Sequence, residues 1–572
     1  MDLLKDAILV LTLLKRNHMQ KTIIYQMLPR LWGNGKIRPK KNGSLVENGT
    51  GKFSDIDSNT LEYLKWLGCS HVWYTGVIRH STQASEEGCT PSHPQFVKGK
   101  AGSPYAICDY YDVNAYLADD PQRRMEEFES LVGRTHEAGL KVIIDFVPNH
   151  VSRDYGKVHM SPGHPVLGAD DDTSVHWKPE NDFFYYPGQP VKLPTDTPAG
   201  VEPYSEFPAK ATGNNCFSPC PGINDWYETV KINYGDAYTP TWEKMYDILD
   251  FWASKGVDGF RCDMVELVPP EFFKWVIGKI KEKYPSVIFV AEVYKKELYS
   301  EYIRSIGFDI LYDKSGLYDT LRAVVEKNAT GDGMPVELWQ SATGITRNWQ
   351  YLGDLQPYML NFLENHDEQR FASDYFGKNA AGTAAPLYVS LCLNTAPFMI
   401  YFGEEVGERG MDEEGFSGRD GRTTIFDWWS ISSVRRLRKL ISSGNYTASA
   451  VSALVKGGLK KEEAETFLCF TKAVRLAASD EAVSMGTTYD LCYCNMHSEG
   501  FDKDRHFAFL RDYEEHTLLF AVNFSDKPAV MKLTIPEHAF MWMRIPETEN
   551  FHHGSVMEVC VPPKDVAVVR IV

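Results

Sequence analysis

At 572 residues the chain exceeds what one hydrophobic core supports, so two or three structural units are expected. Its composition, 43% hydrophobic and 24% charged, is that of a globular protein. The formal charge of −17 speaks against nucleic acid or an anionic membrane as the main partner, since either needs a concentrated positive field; a neutral ligand is unopposed.

In chain order, residues 1–18 read as an N-terminal extension outside the main fold. The apolar run Ala7 to Leu14 is flanked by charge, lacks a small-residue cleavage site and is too short to span a bilayer. A cytoplasmic address is therefore expected. From Thr22 short apolar strands alternate with amphipathic helical patterns. The predicted strands are Ile23–Pro29, His71–Gly76, Val142–Val147, Gly259–Met264, Val287–Val293, Phe308–Tyr312, Met359–Leu363 and Pro397–Phe402. Helical patterns such as Arg124–Ala138, Trp242–Lys255 and Pro270–Tyr284 separate them, with Lys296–Ile306 the weakest. Eight strands with intervening helices predict an α/β fold, a (β/α)8 TIM barrel over residues 19–150 and 234–443. Residues 151–233 have no helical period, are rich in Pro, Gly, Asp and aromatics, and read as an irregular domain inserted after the third strand. Beyond residue 444, runs such as Thr517–Val522 and Ala529–Ile535 predict a C-terminal antiparallel β-sandwich over 444–572.

The 11 cysteines are spread from Cys69 to Cys560. Cys262 and Cys392 lie in apolar runs, as buried free thiols do, and the pairs Cys216/Cys220 and Cys492/Cys494 lack the second half of a zinc pattern. This usage suits a reducing compartment.

In a barrel of this kind, functional groups sit at the C-terminal ends of strands. Four predicted strands end in acids: Asp145-Phe146-Val147-Pro148-Asn149-His150, Arg261-Cys262-Asp263, Ala291-Glu292, and Glu364-Asn365-His366-Asp367. A lone Asp at a strand end is ordinarily a cap or turn residue; four such ends converging on one mouth are not. Arg261 and Asp263 are two apart and face the same side of their strand, so the guanidinium favours the ionised carboxylate. Glu292 follows an apolar run whose burial favours a retained proton. Two acids treated oppositely suit double displacement at a glycosidic carbon.

These four motifs, in this order and on these strands, resemble the conserved regions of the α-amylase family of glycoside hydrolases. The resemblance covers about 19–443. It implies a retaining enzyme cleaving mainly α-1,4 glucosidic bonds in maltooligosaccharides or starch-derived glucans. Asp263 would be the nucleophile, Glu292 the acid/base, and Asp367 the group that binds sugar hydroxyls. His150, Arg261 and His366 would surround the sugar, with Asp145 supporting Arg261. Tyr110-Tyr111-Asp112 resembles the family's Gly-Tyr-Asp motif, which implies Tyr111 as stacking platform. No cofactor is required; Asn149 matches a calcium ligand of the family. Many α-amylases have Lys-His three and four residues after the nucleophile, where this chain has Glu266 and Leu267. The Lys helps bind the acceptor-side sugar and the His backbone contributes to the calcium site, so both features depart here. The same three acids would also serve a 4-α-glucanotransferase, whose acceptor is a sugar rather than water. A non-catalytic, transporter-associated sugar-binding chain is the third reading; such relatives lose one or more of the acids, and this chain retains all three.

Overall fold

The computed structural model describes residues 21–157, 159–326, 340–547 and 551–571, so the predicted extension at 1–18 lies outside the described residues. Eight parallel strands close into a barrel: β1 (Ile23–Met27), β2 (His71–Tyr74), β3 (Lys141–Phe146), β4 (Gly259–Cys262), β5 (Ile288–Ala291), β6 (Ile310–Tyr312), β7 (Met359–Phe362) and β8 (Phe398–Tyr401). Each pairs with its neighbours in sequence, and β1 closes the ring on β8. Nearly every strand residue is buried, as befits strands covered on both faces. All eight predicted strands are present, and the structure confirms the barrel.

Alternate residues point inward. Ile24, Trp73, Ile143, Val290, Ile310, Tyr312, Leu360, Phe362 and Met399 form one buried cluster. The two-residue step carries that inward face from Ile143 to Asp145 and from Val290 to Glu292. On β4 the inward face begins at Gly259, where a Cβ would meet Ile288 at 2.7 Å and Ile143 at 3.2 Å. Glycine here leaves room at the same level for bulky neighbours, and Arg261 follows one step above.

The outer helices form where the amphipathic patterns predict them, at Ser58–Leu67, Arg124–Glu137, Pro240–Ser254, Pro270–Lys283 and Ala384–Cys392. Asp57 caps the first of these by accepting the Thr60 N–H, and Gly68, at φ 107°, ends it. Proline opens the helices at 240 and 270, where its missing N–H costs nothing. The weak fifth gap holds only short helical turns from Lys296 to Ile306.

Between β2 and β3 the chain forms an antiparallel pair, Ile78–His80 with Ile107–Val113. The second strand is buried throughout. The insert after β3 is largely irregular, held by the pairs His150–Ser152 with Thr229–Lys231 and Tyr185–Tyr186 with Ala209–Lys210. After residue 444 the chain remains helical, with Val451–Gly457 and the long Lys461–Ser479. The latter packs Phe467 parallel to Trp66 of the barrel's first outer helix, ring centroids 6.5 Å apart. Antiparallel strands begin only at Thr487 and build a four-stranded sheet and a two-stranded sheet. The helix Lys461–Ser479 therefore packs on the barrel's outer layer within the region where a sandwich was expected.

Candidate active site

At the C-terminal mouth of the barrel, one guanidinium organises the predicted residues. Arg261 is fully buried. Its Nη1 donates to Asp263 Oδ1 at 2.7 Å and lies 3.7 Å from Asp145 Oδ1. Nη2 stands 3.0 Å from Glu292 Oε2, off the hydrogen-bonding direction, and Nε donates to the Tyr312 hydroxyl at 3.2 Å. The cation is boxed by the rings of Trp73, Tyr105 and Tyr312, each 5.4–5.6 Å away. The β3–β4 register sets Asp145 directly beside Arg261. Trp73 Nε1 and the Tyr105 hydroxyl donate to the two oxygens of Asp145, at 3.1 and 3.3 Å.

Asp263 and Glu292 are joined a second way. Met264, immediately after β4 and Asp263, takes a left-handed conformation at φ 45° and donates its N–H to Glu292 Oε2 at 2.8 Å. Such a conformation is costly for a residue with a side chain, and here it aims a backbone donor at the acid of the neighbouring strand. The sequence pairs Arg261 with Asp263 and with the supporting Asp145; the structure also brings it to Glu292. Burial, then the charge of Glu292, push the Asp263 carboxyl well above the usual carboxylate range, while Arg261 opposes them. Burial likewise raises Asp145.

Asp367 stands at the rim, its side chain 45% exposed where Asp263 and Glu292 are nearly inaccessible. Burial works against its charge, but the His366 ring, Arg261 and Arg422 outweigh it and hold the carboxyl down at about 2. His366 Nε2 lies 3.1 Å from Asp367 Oδ2 and 2.6 Å from the Tyr105 hydroxyl, while Nδ1 meets Gln26 Nε2 at 2.9 Å. Strands β1, β2, β3, β4, β5 and β6, and the loop after β7, thus each contribute to one cluster.

Tyr111 is not part of it. Its hydroxyl donates to Asp247 on the outer helix Pro240–Ser254, and its ring stacks on His164 at 3.9 Å. The tyrosine at the mouth is Tyr105, which stacks on His366 with centroids 5.2 Å apart. It lies two residues ahead of the buried strand Ile107–Val113, which is not among the strands predicted from sequence. Tyr294 was also missed; its hydroxyl donates to Glu292 Oε1 at 2.5 Å. His150 packs its ring against Trp226 of the insert, centroids 5.3 Å apart. Burial, then Lys231, lower His150 to about 3.

The residues at the implied calcium position do not fit a metal. The Asn149 side-chain oxygen accepts a hydrogen bond from the Lys231 ammonium, which also donates to the Leu267 carbonyl at 2.6 Å. The Asn149 amide nitrogen donates to Gly213 O at 2.8 Å. A cation is already covalently supplied there. The one grouping of potential ligands among the described residues, Asp109, Asp112 and His159, is consumed internally by Arg79, Arg124 and Ser161.

Residues 37–436 match the family profile described as "Alpha amylase, catalytic domain". Neopullulanase 2 of Thermoactinomyces vulgaris is 23% identical over 402 residues, 68% of this chain and 57% of that protein. Oligo-1,6-glucosidase of Heyndrickxia coagulans is 25% identical over 444 residues, 69% of this chain and 68% of its own. The chain thus spans little more than half the length of the first of these. The noncanonic maltogenic α-amylase AmyB of Thermotoga neapolitana superposes with a TM-score of 0.54 at 18% identity, over 96% of each chain. The profile covers most of the molecule, from within the first barrel unit to beyond β8, and with the closed barrel it places the chain in the α-amylase family of glycosidases.

Proposed function

We propose that the chain is a retaining glycosidase acting by double displacement on α-glucosidic bonds, mainly α-1,4, in maltooligosaccharides or starch-derived glucans. The observation that carries this reading is the single guanidinium of Arg261 serving two buried carboxylates on adjacent strands. Retaining enzymes need such a pair about 5–5.5 Å apart, one ionised and one protonated. Burial is the largest cause raising the Asp263 carboxyl, and the 2.7 Å contact with Arg261 is what supports its anion against it. Asp263 then attacks the anomeric carbon as Glu292 protonates the leaving oxygen. In the second step Glu292 takes a proton from the incoming hydroxyl. Asp367, ionised and open to solvent, receives the sugar hydroxyls, and Tyr105 with His366 lines the floor.

Water as final acceptor makes a hydrolase; a sugar acceptor makes a 4-α-glucanotransferase with the same acids. Incubation with maltotriose separates them. Glucose and maltose alone are expected, whereas longer oligomers would assign transfer. Pullulan, isomaltose, trehalose and sucrose in parallel read the linkage. Asp263→Asn is expected to lower turnover by at least about 10⁴-fold with oligosaccharide binding retained; wild-type rates would remove Asp263 as nucleophile.

A further inference from the structure

Glu292 has two oxygens in different circumstances. Oε2 receives the Met264 N–H and faces Arg261. It is thereby committed as an acceptor, which leaves Oε1 as the oxygen able to carry a transferable proton. Among the described residues, one side chain hydrogen-bonds Oε1, the Tyr294 hydroxyl at 2.5 Å. Tyr294 lies beyond the end of β5, in a segment with no regular structure to hold it. What holds it is Glu266, whose Oε1 accepts the backbone N–H groups of both Tyr294 and Lys295, at 2.5 and 2.7 Å. Glu266 Oε2 also lies 3.4 Å from the Lys295 ammonium. The Glu266 side chain is only 12% exposed and turned inward to this task. This is the position at which many α-amylases have an acceptor-binding lysine.

We propose that Tyr294, anchored through Glu266, is a positioning residue that orients Glu292 Oε1 and stabilises its carboxylate once the proton has left. The inference rests on Glu292 being the acid/base. In the protonated state the phenol donates to a lone pair of Oε1, which leaves the Oε1 proton free to point at the leaving oxygen. During the first step the Oε1–H bond breaks as an O–H bond forms on the leaving oxygen, the glycosidic bond breaks and the bond to Asp263 forms. Tyr294 keeps its own proton throughout, and the bond it donates strengthens as the carboxylate forms. Glu266 thus trades an acceptor-sugar contact for control of the acid.

The other groups that interact electrostatically with Glu292 are Arg261 on β4, Asp263 just beyond it and Tyr312 on β6. All are left intact by Tyr294→Phe, so the variant isolates one donor. Without it the carboxylate loses support, and the high-pH limb of kcat/KM is expected to move up by about one pH unit. The loss in kcat/KM should be about 10- to 100-fold for a maltooligosaccharide, whose leaving group needs the proton. For a 2,4-dinitrophenyl glycoside, which needs none, it should be about threefold or less. Glu266→Ala should reproduce both effects, the double variant should be no worse than either single one, and Glu266→Gln, which keeps the acceptor, should restore the limb. An unmoved limb with equal losses for both leaving groups would overturn the proposal and leave Tyr294 a packing residue. Should Asp263→Asn instead retain turnover, it is the underlying catalytic reading that fails, whatever Tyr294→Phe does.

Discussion

Tyr105 and Tyr111 are close in sequence yet serve opposite sides of the barrel wall. Tyr105 sends its hydroxyl into the mouth, to Asp145 and His366, with its ring on Arg261. Tyr111 sends its hydroxyl outward to Asp247. On the proposed reading, a sugar held in the mouth would therefore feel only the first. Tyr105→Ala is expected to cost about 10²-fold in kcat/KM through lost positioning of the sugar and of Arg261. Tyr111→Phe should leave kcat/KM within about twofold and remove about 1 kcal/mol of stability with its hydrogen bond. Steady-state kinetics and denaturant melts on the two variants check this, and the reverse ranking would return the platform to Tyr111.

Among elements, the short strand Thr229–Lys231 joins the insert to the barrel. It pairs with His150–Ser152, so Lys231 stands opposite His150, and its ammonium reaches Asn149 and Leu267, the latter a few residues beyond β4. Burial lowers the Lys231 ammonium to about 7, so a charge there is costly, and the two oxygens that meet it offset part of that cost. Lys231→Met is expected to leave both acceptors unpaired and to cost about 1–3 kcal/mol, a Tm drop of a few degrees. Calcium should not restore it. In the wild-type protein, EDTA and calcium alike should move Tm by less than about 1 °C, because a ligand without a site cannot stabilise the folded state. A large calcium-dependent shift would mean that the ammonium can be displaced.

For the whole molecule, acid stability is set partly by histidines kept neutral inside it. Burial, then Arg30, lower His80 from its ordinary 6.5 to about 3, where its two nitrogens meet Ser81 O and the Tyr116 hydroxyl. The folded value lies below the unfolded one. Between them the unfolded chain binds a proton that the folded chain does not, so this contribution is complete above pH 6.5 and lost as pH falls. Replacing His80 with Gln should flatten the fall in unfolding free energy between pH 7 and 5 by about one proton, approaching 1.4 kcal/mol per pH unit. Parallel curves for the two proteins would show that His80 is protonated in the fold. Among the described residues no helix is long and apolar enough to cross a membrane.

The barrel was legible because its signal is local and repeated. Each strand is a short apolar run, each helix carries its own period, and the acids at strand ends are fixed by a two-residue step from the inward face. That determined which residues could meet. The sequence also marked Glu266 and Leu267 as departures, without saying what replaces them. Only the tertiary structure decided the rest, since it depends on contacts between residues far apart in the chain. Lys231 meeting Asn149 and Leu267, Glu266 holding Tyr294 on Glu292, Tyr105 rather than Tyr111 turning into the mouth, and the helix Lys461–Ser479 packing on the barrel are all of this kind. Periodicity tells a chain which face is buried; it says nothing of which distant partner waits there.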